Sequence, residues 1–297
     1  MSWKLLHLKK QIKSIRNTAK ITKAMELVAA SKMKSFQKKT GNIRNFVFDL
    51  LCILWKQESL SRESIFVKKR SAGKTAFILY SSDKGLCGAL NQRLFKTLTA
   101  SKVWTSLKES DRIVITVGKK AFDFCRFNGI PIEHNLENAP ENLDSYSAAG
   151  FIDKIVDIWK SGEPSRIYMV APHYKNSLIF YPLVKQFLPL SPEILKSHMD
   201  VDPESIGRDS NPMKSSYTYV DSDTTEVSNE LTMMIAKLLF IHAFYELKAS
   251  EYSSRMVAMK NATDSAKKMS KRKTLQLNKE RQAVITQQIS EIVSWSL

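Results

Sequence analysis

The sequence predicts an α/β fold with two parts. Long helices at the chain ends pair as an antiparallel coiled coil, and a Rossmann-like α/β domain with a parallel or mixed sheet lies between them. The helices are predicted because no Gly precedes Gly41, no Pro precedes Pro131, and residues 213–297 contain neither type. The sheet is predicted because strand-like and helix-like segments alternate in the middle. We expect an N-terminal shaft helix, the α/β domain and a C-terminal shaft helix at residues 1–57, 70–220 and 225–297.

An apolar seam indicates that the N-terminal helix is one strand of a coiled coil. Its members are spaced by three and four residues, as in a heptad repeat, at Leu5, Leu8, Ile12, Ile15 and Ala19. We expect the seam to continue at Ala24 and Val28 after a shift of phase. A seam this narrow predicts packing against a partner helix.

The C-terminal segment has the same pattern over a greater length. Apolar positions alternate steps of three and four at Leu231, Met234, Leu238, Ile241 and Tyr245. A helix from about residue 225 to about residue 293 would be on the order of 100 Å long, since each residue adds about 1.5 Å. A compact domain of this size contains no such rod, so we expect the two terminal helices to pair with each other.

The middle of the chain predicts a sheet flanked by helices. Apolar, β-branched and aromatic runs predict strands at residues 75–82, 112–117 and 166–171, and another beginning at 177–181. Helical patterns occupy residues 91–107 and 147–160. Because strands and helices alternate, we expect parallel or mixed strand pairing. Pro and Gly residues predict a loop at residues 191–216.

Composition limits the class of protein. Of the 297 residues, 43% are hydrophobic, which is enough for a folded core. The longest apolar run, residues 46–55, contains Asp49 and is shorter than the roughly 20 residues that cross a bilayer, so we expect no membrane span. Cys52, Cys87 and Cys125 lack disulfide or zinc spacing, which favours a reducing, intracellular compartment. No secretory pattern opens the sequence, and we expect the mature chain to begin here.

Positive charge is concentrated near the two ends. The formal net charge is +17; residues 1–40 hold eleven Lys or Arg against Glu26, and residues 248–281 hold ten against three acidic residues. Net charges of +10 and +7 on these segments account for the whole excess. Such helices suit nucleic acid, an acidic membrane face or an acidic protein partner, and a merely solvated helix face has the same composition.

The Gly73-Lys74-Thr75 sequence is similar to the end of a phosphate-binding P-loop but lacks its context. A P-loop has another Gly five positions before the second Gly, where this chain has Lys68. A P-loop also follows a strand and opens a helix, whereas this sequence precedes a predicted strand. We therefore predict no nucleotide site here.

Residues 83–88 follow the first predicted strand, where doubly wound sheets usually bind ligands. A helix N-terminus at this position would offer amides to an anion. The two glycines, Gly85 and Gly88, and the lack of an acidic residue placed for a ribose favour a tight turn instead.

A helix N-terminus would also make Cys87 reactive, but no sequence rule brings a His beside it, so we interpret it as structural. The five His residues lack metal-ligand spacing.

Several stretches closely resemble the gamma subunits of F-type ATP synthases of the bacterial type. Residues 12–33 (IKSIRNTAKITKAMELVAASKM) are similar to the family's opening helix, and residues 255–264 (RMVAMKNATD) and 278–287 (NKERQAVITQ) to its closing helix. Residues 83–91 (DKGLCGALN) are similar to its D-R-G-L-C-G-G-L-N turn. The chain is identified as a member of this family on these segments, and the similarity is weak at residues 43–69 and 119–227.

The resemblance implies a non-catalytic rotor shaft. In this family the coiled coil turns inside a ring of alternating alpha and beta subunits, and catalysis belongs to the beta subunits. The implied partners are alpha, beta and epsilon subunits and the membrane ring of c subunits, with no nucleic acid. The resemblance implies no catalytic, cofactor or metal site in this chain. It assigns contacts with the alpha/beta ring to Lys20, Lys23, Met25, Arg255, Met256, Arg281, Gln282 and Thr286.

The resemblance also implies a register and a location. If the Met25 segment faces the Arg255 segment, the numbers of facing residues sum to about 280, and residues from about Arg281 onward extend as an unpaired helix. At the tip, Gln288 replaces a common Glu, and the chain ends Ser-Trp-Ser-Leu instead of in a Gly-Ala tail. No redox insert of the chloroplast type is present, so we expect a peripheral subunit on the cytoplasmic face of a bacterial inner membrane.

Two other functions fit parts of the sequence. A basic shaft suits a nucleic-acid-binding protein, although it carries no recognised motif and no aromatic residues interleaved with the basic ones. Filter binding would reveal a sequence-specific component if this function were correct. Gly85 and Gly88 suit a nucleotide-binding enzyme of the Rossmann type, for which equilibrium dialysis with ATP and NAD is the test.

Overall fold

Two long helices form the frame of the protein. The computed structural model describes residues 3–56, 64–136, 145–191, 194 and 224–295. Helix α1 spans Trp3–Lys56 and helix α6 spans Thr224–Trp295. At about 1.5 Å per residue, the 72 residues of α6 extend over about 108 Å. The long terminal helices predicted from the sequence are confirmed.

The middle of the chain forms a mixed five-stranded sheet in the order β3-β2-β1-β4-β5. Its strands are β1 (Lys74–Tyr80), β2 (Arg112–Val117), β3 (His134–Leu136), β4 (Pro164–Tyr174) and β5 (Phe180–Leu188). Strand β1 pairs in parallel with β2 and β4, β2 pairs in parallel with β3, and β5 is antiparallel to β4. Because β1 is central, its carboxyl end lies in the middle of one sheet edge.

Shorter helices pack around this sheet. They are α2 (Leu90–Thr99), α3 (Lys102–Thr105), α4 (Lys119–Phe127) and α5 (Ser145–Lys160), with a 3-10 turn at Glu109–Asp111. The helix predicted at residues 91–107 is divided, because Ser101 starts a new helix by accepting a 3.2 Å hydrogen bond from Trp104 N.

The strand expected to begin within residues 177–181 starts at Phe180, as predicted, after a hairpin turn in which Asn176 Oδ1 accepts from Leu178 N at 2.9 Å. Helix α4 and strand β3 were not predicted, since nine and three residues are too few for a periodic pattern. The loop predicted at residues 191–216 lies outside the described residues, apart from 191 and 194.

Polar contacts at two levels fix the register of the coiled coil. Lys4 Nζ lies 2.8 Å from Glu280 Oε1, and the hydroxyl oxygens of Thr22 and Thr263 lie 2.7 Å apart. The residue numbers of these pairs sum to 284 and 285. Pairing is therefore antiparallel, as expected, but the expected sum of about 280 is wrong by roughly one helical turn.

The seam of α1 keeps a strict heptad spacing. Its buried and half-buried members are Leu5, Leu8, Ile12, Ile15, Ala19, Thr22, Glu26, Ala29, Met33 and Phe36. The predicted continuation at Ala24 and Val28 is wrong, since both side chains are exposed. The phase does not shift, because Thr22 and Glu26 occupy two seam positions that an apolar pattern cannot reveal.

The first half of α6 is covered on several sides. From Ile235 to Ser253 nearly every side chain is buried or half-buried, since α1, β4 and α5 all pack against this part of the helix. The narrow seam predicted here is therefore wrong: Met234 is 42% exposed, whereas Phe240 and Leu247, which lie off the predicted seam, are buried.

Among the described residues, one helix is long and apolar enough to resemble a membrane span. It lies within α6, where an 18-residue window has a mean hydropathy of 1.2. Within the fold, 56% of that window is buried. Packing against the sheet and α1 accounts for this apolar composition.

The sheet separates two apolar cores. The larger core lies between the sheet and the long helices, where the rings of Tyr80 and Phe240 are 5.5 Å apart. The smaller core lies on the other face, where Phe77 packs edge-on against Trp104 at 5.1 Å. Burial of a large apolar side chain contributes about 1.5–3 kcal/mol, so the larger core holds the sheet firmly on α6.

The register predicts which engineered cysteines will join. Thr22→Cys combined with Thr263→Cys is expected to form an intrachain disulfide on mild oxidation, because the native hydroxyls are 2.7 Å apart. Gel mobility without reductant and the mass of the linked peptides measure the bond. The control pair is Thr22→Cys with Thr274→Cys, which is about 16 Å farther along α6. A disulfide in the control pair but not in the first pair would contradict the register.

Candidate functional site: shaft surface and joint with the sheet

A tight turn at residues 83–88 connects β1 to α2. Gly88 has φ +59° and Leu86 has φ +63°, the left-handed region that glycine adopts most readily. The Asn91 side chain fixes the turn on the strand: its Oδ1 accepts from Ser82 N at 3.1 Å and its Nδ2 donates to Ser82 Oγ at 2.8 Å. The tight turn favoured by the sequence is present.

Four charged side chains connect this turn to α6. Lys248 Nζ lies 3.6 Å from Asp83 Oδ2 and 3.3 Å from Glu251 Oε2. The other oxygen of Glu251 lies 2.7 Å from Arg255 Nη2, which also donates to the carbonyls of Lys84 at 3.3 Å and Gly85 at 3.1 Å. The side chains of Lys248 and Glu251 are 6% and 5% exposed, so water screens these charges weakly.

We call the contact of residues 240–255 of α6 with the carboxyl ends of β1 and β4 the joint. Its charged residues were missed in the sequence, apart from Arg255. The spacing of Lys248, Glu251 and Arg255 by three and four residues is a signal for pairing along one helix face. Asp83 is 165 positions away from Lys248 in the chain, and no local pattern connects them.

The joint fills the crevice in which a Rossmann-like sheet holds a dinucleotide. The Arg255 guanidinium lies on the turn, and a side chain at Gly88 would contact the carbonyl of Ser254 at 3.9 Å. Cys87 is buried, with Sγ 3.5 Å from Ser82 Oγ. This turn packs against the shaft helix.

The Gly-Lys-Thr sequence leads directly into the sheet. Lys74 is the first residue of β1, and its Nζ lies 2.8 Å from Glu163 Oε1 at the surface. Gly73 has φ +133°, and a side chain there would come within 2.6 Å of the carbonyl of Glu163. The glycine is therefore required by close strand packing, in agreement with the prediction of no P-loop.

The middle of α1 exposes apolar side chains on the face away from its partner helix. Ile21, Met25, Leu27 and Val28 are 57%, 41%, 59% and 56% exposed. Lys20 and Lys23 lie exposed beside them, whereas Thr22 in the seam bonds to Thr263. At this level a polar side chain thus faces inward, and four apolar side chains lie exposed beside the two lysines. We call Ile21, Met25, Leu27 and Val28 the outward stripe.

A basic groove lies next to this level of the shaft, between α1 and α6. It has a volume of about 540 Å³ and contains four cationic side chains, at Arg16, Lys20, Lys267 and Lys271, and no acidic one. Arg16 Nε donates to Ser270 Oγ at 3.4 Å, which fixes one of these cations in place. The groove can attract an acidic partner.

The last turns of α6 extend beyond α1 as a single helix. Arg281, Gln282 and Thr286 are exposed, and the Thr286 hydroxyl bonds within its own helix, to Gln282 O at 3.0 Å. The tip also carries apolar side chains that are 46–89% exposed, namely Ile285, Ile289, Ile292, Val293 and Trp295. The unpaired tip expected from about residue 281 is confirmed.

Two of the predicted contact residues have intrachain roles. The Arg255 side chain is 14% exposed and belongs to the joint. Met256 is half-buried and packs against the larger core. With the observed register, Met25 lies level with the segment around Lys260 and not with that of Arg255.

These features define a class of protein, the shaft subunits that carry a sheet on an antiparallel helix pair and leave part of the shaft uncovered for partners. A sequence model of the ATP synthase family matches residues 4–295. The chain belongs to the ATP synthase gamma chain family. Its function is that of an ATP synthase gamma chain.

Relatives resemble the chain over nearly its whole length. The ATP synthase gamma chain of Paraburkholderia phymatum is 33% identical over 288 residues, which cover 95% of both chains. That of Polaromonas sp. strain JS666 is 32% identical over 291 residues, covering 96% of this chain and 95% of the relative.

Solved structures have a similar fold at lower identity. A chain of the Euglena gracilis mitochondrial ATP synthase is 15% identical, with a TM-score of 0.63, and the match covers 98% of this chain and 93% of that one. A chain of the Tetrahymena thermophila mitochondrial ATP synthase central stalk and c-ring is 22% identical, with a TM-score of 0.58, and covers 82% and 99%. These similarities support the fold.

Removal of one charge at the joint is expected to loosen the turn. Glu251→Gln leaves Lys248 and Arg255 without their shared carboxylate, at a cost of about 3 kcal/mol because both cations are largely buried. Hydrogen–deuterium exchange of residues 82–91 in the assembled enzyme measures the loss, with Glu230→Gln, an exposed change on the same helix, as the control. Equal protection of residues 82–91 in both variants would show that the ion chain does not hold the turn.

Proposed function

We propose that this chain couples transmembrane ion flow to ATP synthesis or hydrolysis by turning inside a ring of alternating alpha and beta subunits. The asymmetric shaft presents a different face to each catalytic site at each angle. Each angle then stabilises one catalytic conformation over the others, which is rigid-body coupling. The chain itself supplies no catalytic group.

The uncovered tip of α6 carries this proposal. An isolated helix with five large apolar side chains in water is unfavourable, and exposed apolar surface of this kind is typical of interaction sites. Subunits that enclose the tip would bury these side chains. A ring of partners around the shaft axis provides such cover from every direction, while a flat partner covers one face.

We assign the ring contacts to side chains that the rest of the chain leaves exposed. They are Lys20, Lys23, Met25, Arg281, Gln282 and Thr286. The basic groove supplies a second kind of contact, since acidic segments of beta subunits can pass it without fixed pairing as the shaft turns. Arg255 and Met256 then act from the joint, by holding the shaft on the sheet.

The remaining partners are assigned from the position of the sheet. Both helices continue past the carboxyl ends of β1 and β4, so the sheet lies at the opposite end of the molecule from the tip. With the tip in the ring, the sheet end faces the membrane, where we place the epsilon subunit and the ring of c subunits. We also assign the chain to the cytoplasmic face of a bacterial inner membrane, as a peripheral subunit.

Truncation after Arg281 tests the role of the tip. The shortened chain keeps the Lys4–Glu280 pair, so the coiled coil and sheet are expected to fold and to assemble. The truncated enzyme is expected to hydrolyse ATP while pumping ions less per ATP, measured as proton uptake in membrane vesicles. A full-length chain with Gln287→Ala and Ser290→Ala, which leaves the apolar side chains intact, is the control. Normal pumping by the truncated enzyme would contradict the proposal.

The outward stripe gives a second test at the middle of the shaft. Ile21→Gln with Val28→Gln removes apolar surface that α1 does not use for pairing, so the Thr22–Thr263 contact is expected to persist. Reconstitution with alpha and beta subunits is expected to weaken at least about tenfold, since two apolar side chains lose their burial. The matched control is Asn17→Gln with Ser31→Gln, on exposed polar positions of the same helix. If both variants reconstitute equally well, the stripe is not a contact surface.

A further inference from the structure

The four cationic side chains of the basic groove form a row along the shaft. With the observed register, in which the numbers of facing residues sum to 285, Lys271 and Lys267 of α6 lie level with positions 14 and 18 of α1. Arg16 lies between these two levels and Lys20 lies just beyond them, so the cations alternate between the two helices. At about 1.5 Å per residue, the row extends over about 9 Å of the shaft.

These four cations have no carboxylate beside them. Among the described residues, none of the four forms an ion pair, and no acidic side chain lines the groove. Asp264, the nearest acidic residue along α6, is exposed and lies outside the lining. Elsewhere on the shaft Lys4 pairs with Glu280 at 2.8 Å, and Lys23 pairs with Glu26 at 2.8 Å. Like charges in one groove repel one another, and an anion that contacts several of them removes this repulsion.

Small side chains leave room in the groove for such an anion. Ala19 lines it from α1, and Ser270 and Thr274 line it from α6. Arg16 Nε donates to Ser270 Oγ at 3.4 Å, whereas the two terminal nitrogens of this guanidinium bond to no described residue. A planar guanidinium held in this way can bind two oxygens of one phosphoryl group.

The lining of the groove indicates which class of anion fits. The described residues that line it offer positive charge and hydroxyl groups, and none of them has an aromatic ring on which a nucleobase could stack. Cations spaced over about 9 Å match a linear anion, whose charges are spread along its length. A single phosphate has its charge at one point and cannot contact the whole row.

We propose that the basic groove is a binding site for a linear inorganic polyphosphate, such as tripolyphosphate. The anion lies along the groove, where Arg16 and Lys20 contact its oxygens from α1, and Lys267 and Lys271 contact them from α6. It thereby connects the two helices. The binding does not depend on the proposed function. Its consequence for rotation does, because the bound anion occupies the cations that acidic segments of beta subunits pass as the shaft turns.

Equilibrium dialysis of the full-length chain against tripolyphosphate, without magnesium, tests the proposal. In 0.1 M potassium chloride, which screens the diffuse attraction of the +17 chain beyond about 10 Å, one anion is expected to bind per chain. Orthophosphate is expected to bind at least about tenfold more weakly, because it contacts fewer of the four cations. No binding of tripolyphosphate, or equal affinity for orthophosphate, would overturn the proposal.

ATP in place of tripolyphosphate shows whether the site recognises more than the phosphate chain. ATP is expected to bind no more tightly than tripolyphosphate, because the groove offers the base nothing to stack on. Tighter binding of ATP would overturn the assignment to an inorganic anion.

Two double variants with the same net charge distinguish the groove from the shaft as a whole. Lys20→Gln with Lys271→Gln removes one exposed cation from each helix, and the affinity for tripolyphosphate is expected to fall at least about tenfold. Lys9→Gln with Lys260→Gln removes two exposed cations of the same helices outside the groove and is expected to change the affinity less than about twofold, since salt screens distant charges. Equal weakening in both variants would show that net charge alone attracts the anion, against the proposal.

Discussion

The antiparallel pairing of α1 with α6 is the constraint on which the rest of the structure depends. Because the two helices come from opposite ends of the chain, their pairing brings both ends of the sheet region to one place and closes it as a unit. The heptad spacing continues without interruption from Leu5 to Phe36, and two polar residues maintain the spacing where apolar ones are missing. The shaft is thus the frame to which the sheet is attached.

Attachment of the sheet uses two kinds of interaction with different consequences. Burial of aromatic side chains, such as Tyr80 against Phe240, stabilises the contact but does not fix its orientation, because the hydrophobic effect is non-directional. The ion chain from Asp83 through Lys248 and Glu251 supplies direction, since its members must meet at particular atoms. Together they fix the rotational position of the sheet about the shaft, which the proposed coupling by rotation requires.

The two long terminal helices and the sheet domain between them could be predicted from the sequence. A long segment with helical periodicity and no Gly or Pro has few possible structures other than a helix. The antiparallel pairing followed from the same pattern, and the unpaired tip from the register that the family resemblance implies. Short elements such as β3 could not be found, since three residues carry no period. The seam was misassigned at Ala24 and Val28 because apolar residues there serve an outer surface.

The joint could not be predicted for a different reason. Its charged residues lie on α6 and on a turn more than 160 positions earlier, and their meeting depends on the register of a helix pair that the sequence places one turn away from its observed position. The resemblance assigns Arg255 to a contact with the alpha/beta ring, which stays a prediction. In the structure its guanidinium serves the chain itself.

The continuity of α6 gives the shaft a graded mechanical profile. One helix runs from the sheet to the tip with no Gly or Pro, so its hydrogen-bond ladder is unbroken. The sheet packs against α6 at its base, α1 pairs with α6 along its middle, and the last turns of α6 are unpaired. Resistance to bending must decrease in that order, because each step removes packed material around the same helix. A load applied along the shaft is therefore stored as elastic deflection mainly at the end, while the base turns as a rigid body.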